Sequence, residues 1–411
     1  MATIETNSVP SRKLLLLLAV FAATGLMFAA VSTHDFVQHL DRQVHSVTCS
    51  FVPGLGKADD PMASGCRTVL MSPYSSVLRG RYWGGIPVAL PAMSVFSYLL
   101  FMGLWLFAAK DNGGRATTRF LVAATALPDV VSAVYLLVSA IAVGTLCKLC
   151  VGIYIASTGV FATAVIAHLL AGPTPGPWPW KRYCLWFGEG VALVAVPLVA
   201  FLAFRPAYES KVLGCGQLAQ AEDRYDVHIK LHSVSGGTPA IEVVDPLCPA
   251  CQSFRGRLQQ SGLIDRLDLT GVLFPLDNSC NWMISDALHP GACTVSEAVL
   301  CAGDEGAQVV GWALDHGEEL RTLAKKDAAA LRAVLEKQFP SVAGCVGTPA
   351  VRARLNKSLR WVAANALPIL TPQLFVRGHR LCEEDTDLGL EFALGQLLAE
   401  ESKPATRGRH P

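Results

Sequence analysis

The sequence of 411 residues is 52% hydrophobic and only 16% charged, with a formal net charge of +1. Soluble domains carry about 25% charged residues on average, so this composition excludes an ordinary soluble protein. The small net charge argues against a nucleic-acid partner, because binding to phosphates needs a clustered basic face. Thirteen cysteines, several of them in polar segments, favour an oxidising compartment such as the periplasm or a lumen. A cytosolic redox or metal protein is the alternative.

Five apolar runs are long enough for membrane-spanning helices, which need roughly 17–25 such residues. The runs are Leu14–Ser32, Ile86–Ala109, Phe120–Thr145, Val151–Leu170 and Cys184–Phe204. Lys and Arg lie before the first run, between the second and third, and between the fourth and fifth. If the runs alternate, all three basic groups fall on one side, which the positive-inside rule makes cytoplasmic. The pattern predicts a multi-pass helical membrane protein with a cytoplasmic N-terminus.

The first run has a second interpretation, because Arg12-Lys13 followed by a leucine-rich stretch also resembles a cleavable signal peptide. Its apolar stretch is longer than the usual 7–15 residues of a signal peptide, which favours a retained helix.

Changes in composition along the chain predict the domain boundaries. The expected divisions are a cytoplasmic N-terminus (1–13), a four-helix membrane domain (14–170) with an outside loop (33–85), a cytoplasmic linker and fifth helix (171–204), an outside soluble domain (205–402) and a tail (403–411).

Two cysteine pairs belong to the membrane region. Cys147 and Cys150 form a C-x-x-C motif between the third and fourth runs, at the membrane boundary. Such a dithiol is a redox pair or half of a zinc site, and at this position it can exchange electrons with a molecule dissolved in the lipid. Cys49 and Cys66 lie in the turn-rich outside loop, where a disulfide is the simplest expectation. That disulfide is either a structural staple or a shuttle pair that reaches Cys147.

A third pair lies in the soluble domain. Ala240–Val244 is predicted to be a strand, and it runs through Cys248-Pro-Ala-Cys251 into a helical stretch. Free amides and the positive end of a helix stabilise a thiolate at its start. Cys248 is therefore expected to be the exposed nucleophile and Cys251 the buried resolving thiol. A zinc site is disfavoured, because no histidine stands at zinc-finger spacing.

Seven cysteines lie outside these pairs. Cys184, at the inside end of the fifth helix, is expected to be an unpaired packing thiol. The other six permit three disulfides in 15 arrangements: Cys215, Cys280, Cys293, Cys301, Cys345 and Cys382. The close spacing of Cys280, Cys293 and Cys301 predicts one bridge within that group.

Other polar residues have competing interpretations. Asp129, within the third apolar run, either delivers a proton to a bound cofactor or caps a helix kinked at Pro128, and the structural role is favoured. His289 and His379 have no ligand partner at a useful spacing and are expected to be surface residues.

The soluble domain resembles the thioredoxin fold in its strand, dithiol and helix. A predicted helical region at 291–366, placed before Thr371-Pro372, makes it similar to the DsbA-type disulfide oxidases. This resemblance implies that Pro372 is cis and packs against the dithiol, and that Thr371 contacts the substrate peptide.

The membrane part resembles the vitamin K epoxide reductase (VKOR) family, whose bacterial members are often fused to a thioredoxin-like domain. The resemblance is carried by the stretch from Cys66 through Ser72-Pro-Tyr, by Gly85-Ile86-Pro87, and by Cys147-Lys-Leu-Cys150 through Tyr154. It implies a four-helix bundle that encloses a quinone such as ubiquinone or menaquinone, with the fifth helix as a tether.

The family resemblance also implies a role for each residue of the membrane part. Cys150 attacks or contacts the quinone, with Ser72 and Tyr154 near it. Cys147 exchanges with the loop, where Cys66 faces Cys147 and Cys49 meets Cys248. Two features depart from the family pattern: sixteen residues separate Cys49 and Cys66, and an insertion at Arg79–Trp83 precedes Gly85.

The expected function is a quinone-dependent disulfide oxidase in a bacterial inner membrane. Electrons pass from thiols of secreted or periplasmic proteins, through the three cysteine pairs, to the quinone, and no metal is expected. The motifs do not fix the direction, and oxidation is favoured because a respiratory quinone pool is the stronger oxidant. The alternatives are a quinol-fed reductase or isomerase, vitamin K epoxide reduction, and a membrane-tethered thiol or metal chaperone.

Overall fold

The structure is a computed structural model that describes residues 12–43, 46–49, 65–109, 114–172, 179–205 and 215–399. The predicted tail (403–411) and most of the predicted cytoplasmic N-terminus lie outside the described residues. The chain forms two compact units. The first comprises Met1–Leu78 and Gly85–Ala207, and the second comprises Arg79–Gly84 and Tyr208–Pro411.

Long apolar helices form the first unit and confirm the predicted multi-pass class. Its helices are α1 (Arg12–Gln38), α2 (Gly65–Met71), α3 (Ala89–Ala109), α4 (Gly114–Val138), α5 (Lys148–Leu170) and α6 (Trp180–Phe204). All except α2 are long and apolar enough to cross a bilayer. A short antiparallel pair, β1 (Ser76–Val77) and β2 (Ile86–Pro87), lies between α2 and α3.

Helix α1 extends six residues beyond the predicted apolar run, which ended at Ser32, because its polar groups find partners. Thr33 donates its hydroxyl to the carbonyl of Ala29 at 2.8 Å. Asp35, buried at 4% exposure, accepts from the backbone of Thr48 at 2.8 Å. A buried polar group is tolerated when it is hydrogen-bonded, and hydropathy alone does not register such bonds.

Three glycines allow the apolar helices to approach closely. A Cβ at Gly25 of α1 would lie 2.4 Å from the ring of Phe96 on α3. On α5, Cβ atoms at Gly152 and Gly159 would lie 2.6 and 2.4 Å from the rings of Phe28 and Phe21 on α1. Small residues at helix contacts are a general feature of membrane bundles. Helix α1 is therefore held between α3 and α5 by aromatic rings seated on glycines.

Helix α6 differs from the other spanning helices because Trp186 is its only buried residue. The Trp186 carbonyl accepts from the hydroxyl of Tyr98 on α3 at 2.7 Å. The remaining side chains of α6 are exposed or half-buried, as expected of a helix that faces lipid on most sides.

The second unit contains a mixed five-stranded sheet in the order β3-β5-β4-β6-β7. The strands are β3 (Ile229–His232), β4 (Thr238–Val244), β5 (Leu267–Leu273), β6 (Gln373–Val376) and β7 (His379–Arg380). Strands β4 and β5 are parallel, and the other neighbours are antiparallel. Strand β4 is central, and its end at Val244 leads directly to the dithiol.

Helices surround this sheet and give the thioredoxin fold with the predicted helical insertion. They are α7 (Pro249–Gln260), α8 (Ala292–Cys301), α9 (Gly306–Asp315), α10 (Gly317–Lys326), α11 (Ala328–Gln338), α12 (Pro349–Ala364) and α13 (Leu390–Ala399). Helices α8 to α12 lie between β5 and β6 in the chain. Trp361 of α12 is fully buried in the core with Phe274 and Phe375.

Three disulfides stabilise the second unit. They are Cys280–Cys293, Cys301–Cys345 and Cys215–Cys382. The bridge expected within the close group of cysteines is Cys280–Cys293, whereas Cys301 pairs across the insertion. Cys184 of the first unit is free, as expected, but it is exposed and not a packing thiol.

The contact between the Phe28 ring and Gly152 allows the close packing of α1 against α5 to be tested. Gly152→Ala adds a Cβ that overlaps the Phe28 ring, so it is expected to destabilise the protein by about 1–3 kcal/mol. This loss opposes the usual gain in helix propensity of about 1 kcal/mol. Thermal unfolding in detergent measures the effect. Gly188→Ala on α6 is the control, because no atom lies within 4 Å of its added Cβ. Equal melting temperatures for the two variants would contradict the close packing.

Candidate functional site

In the second unit, the dithiol lies where β4 turns into α7. Cys248 is the N-cap residue of α7, and Pro249 fixes the first helical position. Cys251 is fully buried, while Cys248 is 4% exposed. Both thiols are free. Cys248 was expected to be exposed, but the structure buries it; only the expectation of a buried Cys251 agrees with these exposures.

Cys248 is held in a thiolate-stabilising environment. A hydrogen bond from Cys251 is the main cause that lowers the pKa of Cys248 to about 6, and the positive charge of His289 lowers it further. Burial and the negative charge of Asp245 oppose this shift. Burial and the neighbouring Cys248 raise the pKa of Cys251 above its ordinary value. Near neutral pH the pair therefore presents one thiolate and one thiol, as nucleophilic thiol exchange requires.

The loop before β6 lies against this dithiol. The peptide bond between Thr371 and Pro372 is cis. The Cys248 thiol donates to the carbonyl of Thr371 at 3.6 Å, so Thr371 and Pro372 are beside the nucleophile as the resemblance implied. Thr371 is 9% exposed.

An Asp–His pair supports the turn that carries Cys248. Asp245 is fully buried, and its carboxylate accepts from the amides of Leu247 and Leu276, each at 2.8 Å. Nδ1 of His289 lies 2.7 Å from the same carboxylate. Burial lowers the pKa of His289, but the hydrogen bond and charge of Asp245 outweigh burial and raise it. His289 was expected to be a surface residue; this interpretation is wrong, because its side chain is only 14% exposed and is paired.

A second charged pair lies beneath the dithiol. Glu242 of β4 is fully buried and accepts from Arg255 of α7 at 3.0 Å. Burial raises the pKa of Glu242, against the charge of Arg255. Oε1 of Glu242 has no hydrogen-bond partner within the described part of the chain. Its charge raises the pKa of Cys251, which favours the protonated form of that thiol.

The first unit contains a partly open cavity. Cys66, Cys147 and Cys150 line this cavity, and so do Ser72 and Tyr154. The remaining walls are largely apolar and include residues of α1, α2, α3, α4 and α5. All the membrane-site residues predicted from the sequence thus meet at one cavity except Cys49, which is bonded to Cys66.

A glycine contact brings the loop disulfide close to the membrane dithiol. A Cβ at Gly65 would lie 2.6 Å from Oγ1 of Thr145 and 3.2 Å from the carbonyl of Leu146. Gly65 precedes Cys66, and Leu146 precedes Cys147. The close contact at Gly65 therefore places the start of α2, with Cys66, directly against the segment that carries Cys147.

Asp35 is a cavity residue that the sequence interpretation missed. Its carboxylate accepts from the amide and hydroxyl of Thr48, at 2.8 and 3.3 Å. Thr48 precedes Cys49, so Asp35 fixes the other end of the loop disulfide to α1. A carboxylate near the end of an apolar run is an available signal, because charges in such segments are usually functional. Ser32, Tyr135 and Ser139 also line the cavity.

Asp129 is not among the residues that line the cavity. Its carboxylate accepts from the hydroxyl of Thr158 at 2.9 Å, which ties α4 to α5. This contact favours the structural interpretation of Asp129 over proton delivery.

The geometry of both sites can now be set beside known proteins. Residues 16–165 match the model of the vitamin K epoxide reductase family. This VKOR segment includes the cavity and both of its cysteine pairs. No curated protein matches the chain.

Two solved structures similar to part of this chain are DsbA proteins. One is the oxidoreductase DsbA from Xylella fastidiosa, at 16% identity and a TM-score of 0.32, covering 43% of this chain and 92% of that one. Another is reduced DsbA1 from Neisseria meningitidis, at 14% identity and a TM-score of 0.29, covering 45% of this chain and 88% of that one. Residues 16–165 thus match the VKOR family, and the thioredoxin fold of the second unit rests on its own sheet and dithiol.

The contribution of His289 to Cys248 is testable by titration. His289→Gln removes the positive charge, so the pKa of Cys248 is expected to rise from about 6 by roughly one unit. The pH dependence of Cys248 alkylation, followed by mass spectrometry on the reduced dithiol, gives the midpoint. His232→Gln on β3 is the control and is expected to leave the midpoint unchanged. An unchanged midpoint in His289→Gln would rule out the electrostatic role.

The anchor at Asp35 gives a second prediction. Asp35→Ala leaves the amide of Thr48 without its acceptor, so deuterium exchange in the peptide containing Thr48 and Cys49 is expected to increase. Asp35→Asn keeps an oxygen acceptor and is expected to stay close to the wild type. Hydrogen–deuterium exchange of the protein in detergent measures both. Wild-type protection in Asp35→Ala would show that the loop is held by other contacts.

Proposed function

We propose that this protein is a quinone-dependent disulfide oxidase that passes electrons from substrate thiols to a membrane quinone. The observation that carries the proposal is the cavity of the first unit. Its apolar walls hold the free dithiol Cys147 and Cys150 beside the Cys49–Cys66 disulfide. A dithiol, a disulfide and an apolar cavity within one membrane bundle suit electron transfer to a lipid-soluble acceptor.

The residues of the cavity fit a quinone by their chemistry. A quinone has an apolar ring and two carbonyl oxygens, and it takes up two electrons and two protons when bound and reduced. The walls supply apolar contacts and the Tyr154 hydroxyl supplies a hydrogen-bond donor, while Ser72, whose own hydroxyl donates to the carbonyl of Val69 at 2.8 Å, lines the wall. Ser72 is buried at 3% exposure, and Cys150 lies in the first turn of α5. These three residues are the proposed binding set for ubiquinone or menaquinone.

The proposed relay consists of thiol–disulfide exchanges, each through a mixed disulfide. Two substrate thiols reduce the Cys248–Cys251 disulfide and leave as a disulfide. The Cys248 thiolate attacks Cys49 of the Cys49–Cys66 disulfide, and Cys251 then closes the Cys248–Cys251 disulfide and releases Cys49. The freed Cys66 thiolate attacks Cys147 of the Cys147–Cys150 disulfide, and Cys49 then displaces Cys147, which restores Cys49–Cys66 and leaves Cys147 and Cys150 as thiols. Each exchange moves two electrons and two protons from one pair to the next. The last dithiol, Cys147 and Cys150, is oxidised to a disulfide at the cavity.

The environment of Cys248 supports its role at the substrate end. Its low pKa makes it a good leaving thiolate, which accelerates its release from a mixed disulfide with substrate. Thr371 and Pro372 lie beside it and would bind the substrate peptide. A stabilised thiolate also favours the reduced form of the pair, which makes its disulfide a strong oxidant. These properties favour oxidation of substrates over their reduction.

The other candidate functions have weaker support. A reductase or isomerase would use the same residues with the electron flow reversed. A metal chaperone would need free thiolates, and the described residues offer one other cluster, formed by Cys215, Cys382 and Glu384. Its two sulfur atoms are joined in a disulfide and are not thiolate ligands. We therefore place the oxidase first.

The proposed location follows from the same chemistry. The protein is a membrane protein with five apolar helices. Basic residues beside the runs favour a cytoplasmic N-terminus in a bacterial inner membrane, with the thioredoxin-like unit in the periplasm. Thiols of secreted or periplasmic proteins would be the substrates in that compartment.

A direct test uses protein in detergent with both C-x-x-C pairs reduced. Addition of ubiquinone or menaquinone without oxygen is expected to remove the free thiols of Cys248 and Cys251, as counted by alkylation and mass spectrometry. Cys150→Ala is expected to slow this loss on the order of 10³-fold, because the thiol that faces the acceptor is missing.

The matched control is Cys184→Ala, which removes a free thiol outside both sites and is expected to behave as the wild type. Persistence of the thiols in the wild type with quinone present would contradict the oxidase and favour the reductase or the chaperone.

A further inference from the structure

The insertion at Arg79–Trp83, together with Gly84, is an unexplained feature of this chain. It connects β1 to β2, whose pairing belongs to the first unit. The segment itself belongs to the second unit, together with Tyr208–Pro411. We call Arg79–Gly84 the docking segment. It departs from the family pattern, and the thiol relay makes no use of it.

Trp83 of the docking segment is buried and hydrogen-bonded. Its side chain is 5% exposed, and its indole Nε1 donates to Oδ1 of Asp385 at 2.6 Å. Asp385 is itself 1% exposed and lies in the turn that follows Cys382. A buried tryptophan whose N–H is satisfied by a buried carboxylate is typical of a specific binding site.

Gly389 leaves the space that the Trp83 indole occupies. We call this space, beside Asp385, Gly389 and Glu391, the notch. A Cβ at Gly389 would lie only 2.2 Å from Nε1 of Trp83 and 2.7 Å from its ring. Any other residue at this position would displace the indole. The notch therefore depends on a glycine, placed just before α13.

A buried ion pair forms the second contact. Nη1 of Arg79 lies 3.3 Å from Oε2 of Glu391, with side-chain exposures of 5% and 15%. A buried charge is costly without its partner, so this pair is specific for an arginine at the segment's start. Arginine and tryptophan are the residue types most often found as binding hot spots.

The ends of the docking segment are covalently continuous with the first unit. Gly84 and Gly85 both have positive φ, of 71° and 73°, and this lets the chain turn from Trp83 into β2. The docking segment is thus continuous with the first unit along the chain, while its side chains pack within the second unit.

We propose that the docking segment retains the thioredoxin-like unit on its own membrane unit, so that the thiol relay runs within one molecule. The partner of the notch at Asp385, Gly389 and Glu391 is this chain's own arginine- and tryptophan-containing loop. Retention raises the effective concentration of Cys248 at the loop disulfide. The relay part of this inference rests on the proposed function, whereas the retention does not.

Retention is tested on the folded full-length protein without any assay of activity. A protease site introduced within residues 206–214 is cleaved in detergent, and the membrane fragment is captured by an affinity tag at its N-terminus. All four disulfides join cysteines of the same unit, so they do not hold the fragments together. The thioredoxin-like fragment is expected to stay bound in the wild type and to be released in Trp83→Ala and in Gly389→Val.

Arg81→Ala is the matched control, because Arg81 is an exposed residue of the same segment. It is expected to keep the fragments together. Release of the wild-type fragment, or retention in both notch variants, would overturn the proposal. Near-wild-type melting of the uncleaved variants excludes global unfolding as the cause of release.

The relay is tested by kinetics. Quinone-dependent oxidation of Cys248 in the wild type is expected to be independent of protein concentration. In Trp83→Ala it is expected to be at least roughly tenfold slower but still independent of concentration, because the chain after Ala207 still joins the two units. Equal rates in the wild type and the variant would refute a role of the docking segment in the relay, and a concentration-dependent rate in the wild type would refute the intramolecular relay; both results would leave the oxidase intact. Absence of oxidation in the wild type would refute the oxidase, while the cleavage result would still decide retention.

Discussion

Both dithiols of this protein depend on one constraint, the start of a helix. Cys147 is the N-cap residue of α5, and Cys248 is the N-cap residue of α7. In each pair the second cysteine follows three positions later and lies in the first helical turn. Helix starts leave amides without intrahelical partners, and the positive helix end favours a thiolate at the first sulfur. The same four-residue motif lies in two different surroundings: Cys248 and Cys251 are both buried, whereas Cys147 is buried and Cys150 half-buried.

The surroundings decide what each pair can do. Cys248 has a cation at His289, a carbonyl at Thr371 and a buried carboxylate at Glu242 below its partner. These groups separate the pKa values of the two thiols and suit exchange with proteins. Cys147 and Cys150 instead line an apolar cavity with few polar groups. That cavity suits an acceptor that is itself soluble in lipid.

Close approach of the backbone positions the sites in the first unit. Phenylalanine rings seated on Gly25, Gly152 and Gly159 fix α1 between its neighbours, and Gly65 places Cys66 beside the segment before Cys147. Asp35 then anchors Thr48, so the loop disulfide is held from both ends. In the second unit, Gly389 has the same function for Trp83. Glycines, which have no side chain, therefore determine how closely the elements around both sites approach each other.

The sequence alone determined the five apolar helices, the thioredoxin-like domain with its insertion, and the cysteine pairs. These features depend on local patterns: apolar length, a strand that leads to C-x-x-C, and spacing. Only the tertiary structure decided the partners of His289, Asp35 and Trp83, the pairing of the six remaining cysteines, and the end of α1 beyond Ser32. Each of these depends on contacts between residues far apart in the chain, and neither hydropathy nor spacing specifies such contacts. Burial and hydrogen bonding gave His289 its role, because the charge of a side chain depends on the groups around it.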